Sequence, residues 1–222
     1  MTHKTIINIC LTLIALCWTV AIQARDVTVD GINYYFSYSS KTAQVTVSNV
    51  TGDIVIPEKI TVDGVEYPVT MINYGAFKDC KALTSVKIPS LTRIANDVFR
   101  GCSSLSSVDM PLVTSIGDNA FYGCSSLASV DMPSVTSIGI YAFGCCLSFI
   151  SVDMPLVTSI GNYAFYSCSS LASVDMPSVT NIDIYAFQAC SSLTSVDMPL
   201  VTSIGDMHSR LVLLPTSLYQ RP

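Results

Sequence analysis

The chain has 222 residues, half of them apolar and only 12% charged, with a formal net charge of −5. That composition excludes an intrinsically disordered chain, which is polar and strongly charged. Between Gly101 and Gly205 there is no Lys or Arg, which excludes nucleic acid as a partner of that stretch, since phosphate binding needs cations that release counterions.

Residues 1–24 have the layout of a secretory signal peptide. A basic start at His3 and Lys4 leads into the apolar run Ile6 to Ile22, and Ala21-Ile-Gln-Ala24 offers a small residue at the cut. An uncleaved membrane anchor is the alternative, because 17 apolar residues fall slightly short of a span. Cys17 stands behind a bulky Leu16, a poor setting for lipidation. The expectation is a secreted or cell-surface protein with no membrane span in its mature chain.

Residues 25–70 read as a β-rich N-terminal cap. Ile32 to Tyr38 alternates, with Tyr34, Phe36 and Tyr38 on one face, and Gln44–Val47 and Ile54–Ile56 read as further short strands. Val62-Asp-Gly-Val-Glu-Tyr67 is a strand–Asp-Gly–strand hairpin signature. A stacked repeat exposes an apolar face at its end, and an atypical β segment is the simplest cover for it.

From Met71 to Asp206 the chain repeats every 22 residues. Phe77, Phe99, Phe121, Phe143, Phe165 and Phe187 keep that spacing, as do Cys80, Cys102, Cys124, Cys146, Cys168 and Cys190, and Pro89 to Pro199. A fixed period of this length means a solenoid. Leu105-Ser-Ser-Val-Asp-Met110 matches the L-x-x-L-x-L strand of a leucine-rich repeat. Alternation sends Val108 and Met110 inward and Ser107 and Asp109 outward. Pro111 ends the strand for want of an N–H. Val113 and Ile116 return to the core, Gly117 permits a turn, and Ala120-Phe121 begins a short helical or irregular arc closing at Cys124. The expected fold is a leucine-rich-repeat solenoid of the α/β type, with six or seven short parallel strands on its concave face and irregular or short helical convex arcs. At one strand spacing per coil it is about 30 Å long. A finer period of 44 residues lies within the first, because Leu112, Ser134, Leu156, Ser178 and Leu200 alternate.

The boxes around Leu105, Val108, Met110, Pro111, Ile116, Ala120, Phe121 and Cys124 resemble the BspA-like leucine-rich-repeat family, whose units read I-G-x-x-A-F-x-x-C-x-x-L-x-x-I-x-I-P. One box departs, with Val98 before Phe99. The resemblance implies an exported, non-catalytic protein-binding or adhesive module, and some members of the family are adhesins for host extracellular matrix or other microbes. The implied partner is a protein, such as one on a host or another cell.

Outward strand positions form two rows: Ser107, Ser129, Ser151, Ser173 and Ser195, and Asp109, Asp131, Asp153, Asp175 and Asp197. Strands about 4.8 Å apart hold these carboxylates well inside a Debye length of about 8–10 Å. A concave acidic strip facing a cationic protein segment is the candidate binding site; a solvated row fixed by repeat copying is the alternative. Metal is not expected, since calcium needs a cage of oxygens and zinc needs clustered ligands. The cysteine row fits buried thiols closing each turn, with Cys145 the exposed exception; disulfides between rungs stay sterically open. With His3 in the leader and His208 in the tail, the body has no imidazole to activate a nucleophile, so neither catalysis nor a cofactor is expected. Residues 207–222 match no part of the repeat. Leu211 to Leu214 could cap the last coil, but the out-of-frame end of a longer repeat gene is the favoured reading. The competing function is a structural or degenerate truncated repeat paralogue with no ligand of its own.

Overall fold

The computed structural model describes residues 25–205. The leader and its Cys17, and the tail with Leu211 to Leu214, lie outside the described residues.

The N-terminal part forms a five-stranded sheet. Its members are β1 (Arg25–Val29), β2 (Ile32–Ser37), β3 (Thr42–Val45), β5 (Lys59–Val62) and β6 (Val65–Ile72), in the order β1-β2-β3-β6-β5. Three hairpins build it, and those of β1–β2 and β5–β6 turn at Asp30-Gly31 and Asp63-Gly64, where both residues of each pair have positive φ. That is the backbone of a type I′ turn, and it explains Asp-Gly at both tips. Ile32, Tyr34, Phe36 and Tyr67 are buried, with the Phe36 and Tyr67 rings edge-on at 4.9 Å. Between them, β4 (Gly52–Val55) leaves this sheet and pairs in parallel with β7 (Leu83–Lys87), so the first rung of the solenoid lies ahead of the hairpin.

Each coil then carries two short strands, except that Ser129–Asp131 forms none. The Ser–Asp strands are β7, β9 (Ser107–Asp109), β12 (Ser151–Asp153), β14 (Ser173–Asp175) and β16 (Ser195–Asp197). They stack in parallel as two three-stranded sheets, β4-β7-β9 and β12-β14-β16; in the coil between them Asp131 bridges to Asp109, and Ala128 O accepts from Ile150 N at 3.0 Å. The second strands are β8 (Arg93–Ile94), β10 (Ser115–Ile116), β11 (Ser137–Ile138), β13 (Ser159–Ile160), β15 (Asn181–Ile182) and β17 (Ser203–Ile204), which form one unbroken parallel sheet. Parallel rungs one repeat apart are the solenoid and its short strands as the periodicity requires. The second sheet is an addition, since two-residue strands have no alternation to read.

The helical arcs are not there: no helix occurs among the described residues. The A-F-x-x-C box is a chain of tight turns, and its amides explain why. Asp97, Phe99 and Gly101 donate their N–H groups to carbonyls of Asp118, Ala120 and Tyr122 in the next coil, at 2.8–2.9 Å. An amide committed to the neighbouring coil cannot bond four residues back, as a helix demands. Asp97 and Gly101 also have positive φ, 57° and 75°, and every box repeats that pair of left-handed residues. Gly117 has a different role from the expected turn. Its φ is not in the left-handed region; a Cβ there would lie 2.8 Å from backbone of Ala95 and Asn96. Glycine is favoured there because two coils touch through their backbones, although Ala95 and Asp183 hold the matching position in their own coils.

The core is a column. The six repeat phenylalanines stack with centroids 5.2–5.5 Å apart and nearly parallel rings. Leu105, Val108, Met110, Val113 and Ile116 and their counterparts wall it in.

Candidate functional site

In β9, Val108 is buried while Ser107 and Asp109 face solvent, because period-2 alternation leaves only one side chain of the three pointing inward. The same holds along the face. Asp109, Asp131, Asp153, Asp175 and Asp197 are exposed, as are Ser107, Ser129, Ser151 and Ser195, while Ser173 is half-buried. Register is direct: Asp153, Asp175 and Asp197 are cross-strand partners, as are Ser151, Ser173 and Ser195, and Asp131 bridges to Asp109. The face is therefore two parallel rows, one hydroxyl and one carboxylate.

Its two ends differ in charge balance. Near the cap, Lys87 Nζ lies 3.1 Å from Asp109 Oδ2. Asp53 accepts hydrogen bonds from the hydroxyls of Ser85 (2.6 Å) and Thr84 (2.8 Å), which hold its carboxyl below the usual carboxylate range. Beyond Asp109 no cation of the described residues pairs with the row. Four like charges thus follow one another at the strand spacing. Cross-strand like charges are destabilising, so this face is held by the column beneath it.

The thiols form a row of a different kind. Cys102, Cys124, Cys146, Cys168 and Cys190 each donate to the carbonyl of the phenylalanine 25 residues earlier, at 3.1–3.2 Å. Cys80, in the first box, donates to Ser48. None of the seven described cysteines is in a disulfide. Burial raises the pKa of Cys102 and Cys190 to about 12 and that of Cys124 and Cys146 well above the ordinary thiol value. Cys145 is half-buried rather than fully exposed, its sulfur 3.5 Å from the Tyr122 hydroxyl.

One feature escaped the sequence reading. Tyr141, Tyr163 and Tyr185 occupy one left-handed position in three successive coils, with ring centroids 4.6 and 5.0 Å apart. Tyr166 packs edge-on against Tyr141 and Tyr163, and Arg100 covers Tyr122 at 5.5 Å. The 22-residue spacing of those tyrosines was the available signal. Leu112, Leu156 and Leu200 are about half exposed, whereas Ser134 at the alternate position turns its hydroxyl to the Pro111 carbonyl at 2.9 Å.

Among the described residues no three His, Cys, Asp or Glu side chains converge on a point that could hold a metal ion, and no helix is long and apolar enough to cross a membrane. Both histidines lie outside the described residues.

The chain is similar to solved bacterial leucine-rich repeat proteins. The leucine rich repeat protein of T. pallidum is 28% identical over 82% of this chain and 86% of its own, with a TM-score of 0.70. A leucine-rich repeat protein from Bacteroides ovatus is also 28% identical (TM-score 0.67), and a leucine rich cell surface protein from Faecalibacterium prausnitzii is 32% identical (TM-score 0.68). Each alignment covers 82% of this chain, but the chain spans only 56% and 51% of those two proteins. No curated protein matches it. The model of the BspA type leucine rich repeat region matches residues 58–157 and 92–208, in six copies. With coils, strand register and A-F-x-x-C turns in agreement, the chain belongs to the BspA-type leucine-rich repeat family.

Proposed function

We propose that this protein is an exported, non-catalytic protein-binding module with an adhesive role, and that its Ser–Asp face is the contact surface. The observation that carries the reading is the exposed carboxylate row, with Asp153, Asp175 and Asp197 in direct register and Asp131 bridged to Asp109; these four have no ion-pair partner among the described residues. A cationic protein segment laid along the row would relieve the repulsion and gain charge-assisted contacts at regular intervals. Lys87 beside Asp109 supports this, since it holds a cation against the same row. The surface location of the Faecalibacterium protein named above agrees with export.

A second reading is a structural paralogue with no ligand. It is favoured by the identity of Ser125–Thr136 with Ser169–Thr180, because copies kept identical have not diversified into a position-specific surface. Binding to extracellular-matrix and bacterial surface protein fractions separates the two. The intact chain should bind at about 50 mM salt, weaken severalfold at 500 mM, and lose at least tenfold with Asp131→Lys plus Asp153→Lys. No binding, or equal binding by the double variant, removes the acidic-face reading in favour of the paralogue.

A further inference from the structure

The repeats are copied closely, and one coil departs from them on its surface. From Cys102 onward the other coils follow their cysteine with Ser-Ser-Leu, but this coil reads Cys146-Leu147-Ser148-Phe149-Ile150. Phe149 is an exchange within the core, fully buried against Phe143 and Phe165. The other two are not. Leu147 is 47% exposed and Ile150 56% exposed. The coils on both sides place Ser125 and Ser169 at the first of these positions and Ala128 and Ala172 at the second. The fold therefore closes without a large apolar side chain at either place. Single apolar residues scattered over a surface are ordinary, but here two branched ones stand in one coil where small ones suffice.

Backbone hydrogen bonds fix where Ile150 sits. Its N–H donates to Ala128 O at 3.0 Å, and Ala172 N donates to Ile150 O at 2.8 Å, so Ile150 projects between two alanines of the adjoining coils. The next residue, Ser151, opens β12, and Asp153 closes it. Ile150 thus forms the rim of the Ser–Asp face on its hydroxyl side. It is three residues from the carboxylate row, about 10 Å along the strand.

An extended segment sends alternate side chains to opposite sides. Laid over the serine row, it would aim one set at Asp131, Asp153 and Asp175 and the other at Ile150. We infer that Ile150, with Leu147 of the same coil, is the apolar anchor of the contact face, and that its partner is an extended protein segment of alternating cationic residues with an apolar side chain opposite them. Charge complementarity selects that partner, because a cationic segment meets the carboxylates whereas a wholly apolar one leaves them unpaired. The anchor presupposes the Ser–Asp face as the contact surface and gives it a position, since a uniform row of carboxylates cannot fix where along its length a partner stops.

Two synthetic peptides of alternating lysine and serine, identical except that one central serine is leucine in the first, test this on the intact chain at about 50 mM salt. The leucine peptide should bind at least about fivefold more tightly. Ile150→Ala plus Leu147→Ser restores the residues of the adjoining coils and should fold. It should bring the leucine peptide within about twofold of the serine peptide and leave the serine peptide unchanged. Leu156→Ser, which restores the residue at Ser134 and Ser178, should keep the fivefold preference. Equal affinity of the two peptides for the unaltered chain would overturn the anchor while leaving the acidic row in place. A preference that survives Ile150→Ala plus Leu147→Ser, or is lost with Leu156→Ser, would overturn its location. Binding of neither peptide, or binding indifferent to Asp131→Lys plus Asp153→Lys, would overturn the acidic-face reading and the anchor with it.

Discussion

Each repeat cysteine is fixed by one hydrogen bond and by burial, and both act on its proton. The unfolded thiols titrate near 9 while those of Cys124 and Cys146 titrate well above it, desolvation being the main cause. Below pH 9 both states keep the proton and stability has its full value. As pH rises further, the unfolded state releases protons that the folded state retains, and stability falls, by at most about 1.4 kcal/mol per pH unit for each buried thiol. Denaturant midpoints measured from pH 7 to 11 should therefore be level and then decline, and Cys124→Ser should make the decline shallower. A midpoint indifferent to pH up to 11 would contradict the buried row. Burial of these thiols was legible in the sequence, because a small apolar residue recurring at a turn is core. Their donation to the Phe carbonyls was not, since the acceptor lies in another coil.

The coil is the element that matters, and its phenylalanine is the main contact with both neighbours. Phe121 is fully buried, 5.4 Å from Phe99 and 5.3 Å from Phe143. Phe121→Ala removes two stacked contacts and opens a cavity that the rigid ladders cannot close, for a loss of about 3–5 kcal/mol. Tyr163→Ala, at the half-exposed tyrosine row, should lose only about 0.5–1.5 kcal/mol. Urea unfolding of the two variants checks the order; a tyrosine loss equal to the phenylalanine loss would move the stabilising column to the surface. The 22-residue period points to the phenylalanine column directly. The turns joining the columns have no such local signature, because Tyr141, Cys145, Tyr163, Ser167, Tyr185 and Ala189 adopt positive φ without being glycine. Contacts with the next coil impose that backbone, and residues that dislike it comply.

At the scale of the molecule, charge and stacking oppose one another. The repeats concentrate carboxylates on one face with no Lys or Arg after Arg100 until Arg210, so added salt should stabilise the fold by screening. Raising ionic strength from 10 to 150 mM shortens the Debye length from about 30 to 8 Å; the thermal midpoint should rise across that range, and Asp175→Asn should reduce the rise. A midpoint that falls with salt would mean that the Lys87–Asp109 pair outweighs the row. The sequence by itself determined the period, the solenoid, the buried side of each strand and the exposed Ser and Asp rows, because alternation and repetition are local and every coil must bury the same wall. Only the tertiary structure decided that the A-F-x-x-C box is a ladder of turns instead of a helix, that a second parallel sheet runs through Ser115–Ile116, and that Ser129–Asp131 keeps a single bridge to Asp109 while its twin forms β14. The physical reason is the same in all three. Their hydrogen bonds and packing partners belong to the adjacent coil, which the local sequence does not describe.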